Sequence, residues 1–270
     1  MKNNTSTCII ELTDLEIKEL TVLSNQINIS PSEKPDLFCK KANQLSRKIP
    51  ERIKNILHNF ANYGSETGFL LINGLPLNDA TLPKTPSNNN KIGETTILAR
   101  IQAILINLLG DMISYEAEGS GRLFQDIVPI KSMADEQTST SSNYNLEMHT
   151  EQAFSELRPD ILSLACIRGD PNALTYILPV KSITNNLSMD DRILLYQPLW
   201  NVGVDLSFQV SNYKFIDGDV RGPVPILKGT NVQGTIVQDE STDPKIVFDY
   251  DLMKGTNQKA NIIIEKISDL

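Results

Sequence analysis

The sequence predicts an α+β chain, mainly β with flanking helices, in which a β-sandwich or jelly roll carries the helices of its amino-terminal half. Two observations lead there. As far as Gly110 most apolar residues recur at helical spacing, and beyond it they fall into short β-favouring runs punctuated by Gly, Pro, Asn or Asp. The runs follow the helices instead of alternating with them, which argues against repeated βαβ units.

Thr13 and Glu16 form a Thr-x-x-Glu capping box, and Ile17, Leu20 and Leu23 follow on one helical face. Asn28 to Lys34 is rich in turn residues. A second helix is expected from about Asp36, just after Pro35, to Leu45, and a third from Pro50 to Phe60 with Ile53, Ile56, Leu57 and Phe60 on one side. His58 lies off that side and reads as a surface residue. Gly64 ends the helix, and Gly68 to Gly74 is an apolar run between glycines, expected as a buried strand. Pro76 to Asn90, with Pro83 and Pro86, is expected as an exposed loop. Ile97, Ile101, Ile104, Leu105 and Leu108 predict the longest helix, closed at Gly110 in a left-handed conformation. The β-type runs are Met112 to Glu116, Leu123 to Ile130, Ile161 to Ile167, Thr175 to Leu178, Phe208 to Phe215, Val224 to Leu227 and Ile246 to Tyr250. Met189 to Leu195 reads as a helical insert and Gln258 to Leu270 as a terminal amphipathic helix.

The chain has 270 residues, 40% of them hydrophobic, enough to bury one sizeable core, so residues 1–270 are expected as a single domain with a helical part at 1–63 and a β core at 64–270. Lys and Arg total 25 against 33 Asp and Glu, a net charge of -8, which leaves no electrostatic footprint for nucleic acid. Apolar runs such as Ile104 to Leu109 fall far short of the ~20 residues that span a bilayer, so no membrane is expected. The start MKNNTSTCIIEL lacks a secretory signal, which points to the cytoplasm. Cys8, Cys39 and Cys166 are too scattered for a disulfide framework or a zinc site and are expected as small buried hydrophobes. A homo-oligomer is compatible with all of this.

The segment Leu146-Glu147-Met148-His149-Thr150-Glu151 carries the chemistry. On an extended strand, residues i and i+2 share a face, so His149 and Glu151 present an imidazole and a carboxylate together, expected to point into the sandwich interior. That pair is two thirds of the two-histidine, one-carboxylate triad that leaves positions open on non-haem Fe(II).

With this pair, Gly68-Phe69-Leu70-Leu71-Ile72-Asn73-Gly74-Leu75-Pro76, Gly121-Arg122-Leu123-Phe124-Gln125-Asp126 and His149-Thr150-Glu151-Gln152-Ala153-Phe154, followed by Arg158-Pro159-Asp160 and Arg168-Gly169-Asp170, occur in one order. In these motifs the sequence resembles the clavaminate synthase-like branch of the Fe(II)/2-oxoglutarate-dependent oxygenases, related to taurine dioxygenase and including hydroxylases of free amino acids. The resemblance implies a double-stranded β-helix (jelly roll), with His149 and Glu151 as iron ligands and Thr175 as a contact to the 2-oxoglutarate carboxylate. It places Gln125 and Ser139, with Glu118 beside them, where relatives hold the substrate's amino and carboxylate groups; as residues alone they read equally as ordinary polar positions. Arg158-Pro159-Asp160 reads as a structural turn with an ion pair.

The implied function is hydroxylation of a free L-amino acid or similar small amine-containing substrate, with Fe(II) as cofactor and 2-oxoglutarate and O2 as co-substrates. Glu151 favours hydroxylation or desaturation, because halogenating relatives carry a small residue there. The family also supplies a second ligand histidine and a 2-oxoglutarate-binding arginine near its carboxyl terminus, and no histidine follows His149 here. The expectation is therefore a β-helix lacking its last strands, and the alternative a catalytically inactive pseudo-oxygenase or binding module.

Overall fold

The computed structural model describes residues 8–77, 82–88, 92–136, 138–205, 208, 220–229, 231–232, 235–236 and 244–270. The chain divides into two compact units, Met1–Tyr144 with Ile161–Ile177, and Asn145–Asp160 with Leu178–Leu270.

In the first unit, strand β1 (Ile9–Glu11) pairs in parallel with β2 (Leu71–Asn73), and helices α1 (Asp14–Ser24), α2 (Pro35–Ser46) and α3 (Glu51–Tyr63) form the crossover between them. The capping box at α1 is formed: Glu16 N–H donates to Thr13 Oγ1, and Thr13 N–H to Glu16 Oε2. α4 (Ile97–Ile106) is capped by Thr96, whose hydroxyl oxygen accepts the Ala99 N–H. Leu20, Phe38, Ala42, Leu45, Ile53, Leu57, Ile101 and Ile104 bury the helical faces against one another. His58 is exposed, as the stripe requires.

Several expectations change here. α4 is 10 residues long against 13 in α3, and Gly110 is not left-handed; Asn107 closes the helix instead, its backbone and side-chain amides both donating to the Ala103 carbonyl. Met112 to Glu116, Leu123 to Ile130, Ile161 to Ile167 and Thr175 to Leu178 form no strands. β propensity needs a partner strand, and two of these runs are held by side chains in its place: Asp126 accepts the Ile92 and Gly93 N–H groups, and Gln102 donates to the Ser163 carbonyl. Cys8 and Cys39 are only half-buried and Cys166 is exposed, so none is a core residue. Cys39 lies off the stripe set by Phe38, Ala42 and Leu45.

The second unit contains α5 (Val180–Asn186), α6 (Met189–Leu195), the antiparallel sheet β4-β3-β9 (Val220–Val224, Trp200–Gly203, Met253–Gly255), the short pairs β5–β8 (Leu227–Lys228, Lys245–Ile246) and β6–β7 (Asn231–Val232, Thr235–Ile236), and α7 (Gln258–Ser268). Trp200, fully buried, donates from Nε1 to the Ala260 carbonyl at 3.0 Å and pins β3 to α7. Around it pack Leu195, Val202, Ile226, Phe248, Ile263 and Ile267. Asp191 on α6 meets Lys266 on α7 at 2.6 Å, and that ammonium holds the carboxyl below its ordinary range. The run expected over Phe208 to Phe215 lies outside the described residues apart from Phe208, as does part of the loop expected over Pro76 to Asn90. Among the described residues no helix is long and apolar enough to cross a membrane.

Candidate metal centre

His149 pairs with Asp249 in an isolated antiparallel bridge. On either side Thr150 N–H donates to the Phe248 carbonyl at 2.7 Å and Tyr250 N–H to the Met148 carbonyl at 3.0 Å, so Met148–Thr150 is a short edge on the chain that follows β8. The Thr150 hydroxyl reinforces this edge, donating to the Phe248 carbonyl and accepting the Phe248 N–H, each at 3.1 Å.

The pairing stops at Thr150, and residues 151–154 form a turn with Gln152 at φ 46°. The strand alternation expected through His149 and Glu151 therefore ends before Glu151, and the two side chains are not consecutive positions on one strand face. His149 is exposed rather than interior, and Glu151 is half-buried. The physical reason is local: a bridge of one residue pair does not carry the chain far enough to bury both.

His149 Nδ1 lies 2.7 Å from the Glu147 carbonyl oxygen. A carbonyl only accepts, so Nδ1 carries the proton in the neutral ring and Nε2 keeps the lone pair that a metal needs. Asp249 faces this site with its carboxyl pushed up by burial, against the lowering influence of the Leu252 N–H it accepts and of His149. Together His149 and Glu151 supply one imidazole and one carboxylate, two donors of the type a non-haem iron takes. Among the described residues no group of three His, Cys, Asp or Glu side chains is placed to hold a metal, so the third donor is not found there.

The other expected residues lie in the first unit. Thr175 is exposed in a segment without strand pairing. Gln125 and Glu118 flank one loop: the Gln125 amide fills the space where a Cβ on Gly119 would stand, and Arg122 Nε donates to the Gly119 carbonyl at 3.0 Å. Ser139 is exposed on a turn whose ends meet through Ile130 N–H and the Thr140 carbonyl. Asp160 pairs with Lys245 at 3.1 Å, which gives the Arg-Pro-Asp segment an ion pair, and Arg158 donates to the Ser155 carbonyl. Thr150 and Asp249 escape sequence reasoning, since neither is a distinctive residue type; the β-branched Thr150 between the two candidate ligands was the available signal.

No protein-family model matches the chain. The L-lysine 3-hydroxylase of Catenulispora acidiphila is 40% identical over 253 residues, covering 93% of this chain and 68% of that enzyme. Clavaminate synthase 2 of Streptomyces clavuligerus is 29% identical over 217 residues, 76% of this chain and 66% of that enzyme, and the L-asparagine oxygenase of Streptomyces coelicolor 30% identical over 183 residues, 67% and 53%. The chain thus spans about half to two thirds of the length of these relatives. Among solved structures, asparagine oxygenase with Fe(II), 3-hydroxyasparagine and succinate superposes with a TM-score of 0.80 at 23% identity, covering 97% of this chain and 78% of that one. The non-heme iron oxygenase OrfP with Fe and α-ketoglutaric acid gives 0.70 at 20% identity, covering 97% and 79%.

The fold is thereby that of the jelly-roll non-haem iron oxygenases. The chain belongs to the clavaminate synthase-like family of Fe(II)/2-oxoglutarate-dependent oxygenases, enzymes that hydroxylate amino acids using Fe(II) and 2-oxoglutarate.

Proposed function

We propose that residues 1–270 act as one oxygenase domain that hydroxylates free L-lysine or a closely similar amine-bearing amino acid in the cytoplasm, with His149 and Glu151 as iron ligands. The observation that carries this reading is the 40% identity to the lysine 3-hydroxylase across 93% of the chain. Bound Fe(II), with 2-oxoglutarate and O2, supplies the oxidation. The protein's own part is positional: the Glu147 carbonyl fixes the His149 tautomer, and Thr150 fixes the edge on which His149 stands. In this reading Thr175 contacts 2-oxoglutarate, while Gln125, Glu118 and Ser139 hold the amino and carboxylate ends of the substrate. The shared loop at Gly119 supports Gln125 and Glu118 acting together.

A second reading, a binding module without oxidation, is favoured by one observation: among the described residues no group of three His, Cys, Asp or Glu side chains is placed to hold a metal. The deciding experiment incubates the chain with Fe(II), 2-oxoglutarate, O2 and a panel of free L-amino acids, and follows succinate and the gain of one oxygen atom by mass spectrometry. Hydroxylated lysine matched by succinate, and lost in His149→Ala, supports the oxygenase. Saturable lysine binding with no succinate establishes the binding module.

A further inference from the structure

Residues 161–167 read Ile-Leu-Ser-Leu-Ala-Cys-Ile, an uncharged run of strand composition within the first unit. The run is neither helix nor strand, and among the described residues none of its backbone groups bonds another backbone group. Its side chains are as open as its backbone. Ile161, Leu162 and Leu164 are 40%, 58% and 65% exposed, and Leu174, Tyr176 and Ile177 shortly after it are 63%, 85% and 49% exposed. Single exposed apolar side chains are ordinary, but six within Ile161–Ile177 present on the order of several hundred Å² of apolar surface, against ~800 Å² on each side of a specific interface.

A side-chain hydrogen bond selects the open edge of the run. Gln102 on α4 donates from Nε2 to the Ser163 carbonyl at 3.1 Å and to the Ser163 hydroxyl at 3.0 Å. In an extended chain the peptide groups of alternate residues point to opposite edges, so residues 161, 163, 165 and 167 share the edge that Gln102 takes. Leu162, Leu164 and Cys166 then offer their N–H and carbonyl groups on the other edge, which is a template for a second strand.

The run suits a second copy of itself. Paired antiparallel about Leu164, it sets Leu164 opposite the partner's Leu164 and Leu162 opposite the partner's Cys166, both as hydrogen-bonded pairs on the open edge and with no charge inside the pairing. Asp160 and Arg168, which bound the run, come opposite each other at both ends, whereas a parallel pairing sets like charge beside like. Only the signs enter this argument, since Asp160 keeps its contact with Lys245 and Arg168 its contact with Thr85.

We propose that two copies of this chain join along residues 161–167 as an antiparallel β-pair with its two-fold axis at Leu164. The pairing rests on no iron-ligand or substrate assignment. Sedimentation velocity of the 270-residue chain over a concentration series reads it. A monomer–dimer equilibrium is expected, weakened at least ten-fold in Leu164→Lys and in Leu164→Glu, where like charges meet at the axis, and unchanged in His149→Ala. Mixing the Lys and Glu variants in equal amounts should restore the dimer, because each residue 164 faces its own counterpart. Far-UV circular dichroism checks that each variant keeps its helices. A hydrogen-bonded pair brings its two Cα atoms to about 5.5 Å, within reach of a disulfide, so Leu164→Cys in a Cys166→Ser background should cross-link on mild oxidation and Leu162→Cys in that background should not. The proposal is overturned by a wild type that stays monomeric at every concentration, or by association that survives Leu164→Lys with the helices intact. Failure to recover on mixing, cross-linking of Leu162→Cys as readily as Leu164→Cys, or assembly that grows beyond the dimer overturns it as well.

Discussion

Thr150 and Phe248 are joined by three hydrogen bonds, in which the Thr150 N–H and hydroxyl both donate to the Phe248 carbonyl and the same hydroxyl accepts the Phe248 N–H. The residue between the two candidate ligands is thus the clamp that holds their segment. Thr150→Val keeps the shape and removes the hydroxyl, leaving the Phe248 N–H without its acceptor at a cost of about 1–3 kcal/mol. Urea denaturation should show this loss in Thr150→Val and little change in Thr150→Ser. Equal stability of wild type and Thr150→Val would show that the clamp holds nothing.

Glu16 predicts a pH dependence. The Arg52 side chain, above all, lowers its pKa from 4.5 to about 2, and burial of Glu16 opposes this without prevailing. Because the folded value is the lower one, Glu16 stabilises the fold fully above its unfolded pKa, and the contribution is lost as pH falls from about 4.5 toward 2. Glu16→Gln should lower stability by up to about 1 kcal/mol at neutral pH, since it removes an ion pair whose arginine is half exposed while glutamine can still close the capping box. Urea midpoints measured against pH should separate wild type from variant above pH 4.5 and converge toward pH 2. A constant gap across that range contradicts the assignment.

The amino-terminal helices were legible because their signals are local: the Thr13–Glu16 box, Pro35 at the first turn of α2, and the stripe through Ile53 and Leu57 need no distant partner. The β runs were less so. Residues such as Ile161 to Ile167 have strand composition, but a strand exists only where a second one pairs with it, and composition does not name the partner. The same limit governs the metal site. The residue types at 149 and 151 were readable, whereas the turn beginning at Glu151 and the cross-pairing of Thr150 with Phe248, 98 residues apart in sequence, were not.

Gly255 tests the packing of the second unit. A Cβ there would lie 2.6 Å from the Asn261 nitrogen and 2.7 Å from Ala260 Cβ, so the close approach of β9 to α7 depends on the missing side chain. The Gly255 N–H also donates to Asn261 Oδ1 at 2.7 Å. Gly255→Ala should cost about 1–3 kcal/mol through forced displacement of the helix start. Thermal denaturation followed by Trp200 fluorescence checks it, and an unchanged midpoint would mean that the junction yields freely.

The account turns on His149 as an iron ligand, and a chain with two histidines makes that directly observable. Anaerobic addition of Fe(II) to the protein with ¹⁵N-labelled histidine, followed by imidazole NMR, should shift or broaden the His149 Nε2 resonance while His58, exposed on α3, stays in place. Glu151→Ala should raise the iron concentration needed. An His149 signal that does not respond to Fe(II), or that responds no more than His58, would contradict the assignment of the site.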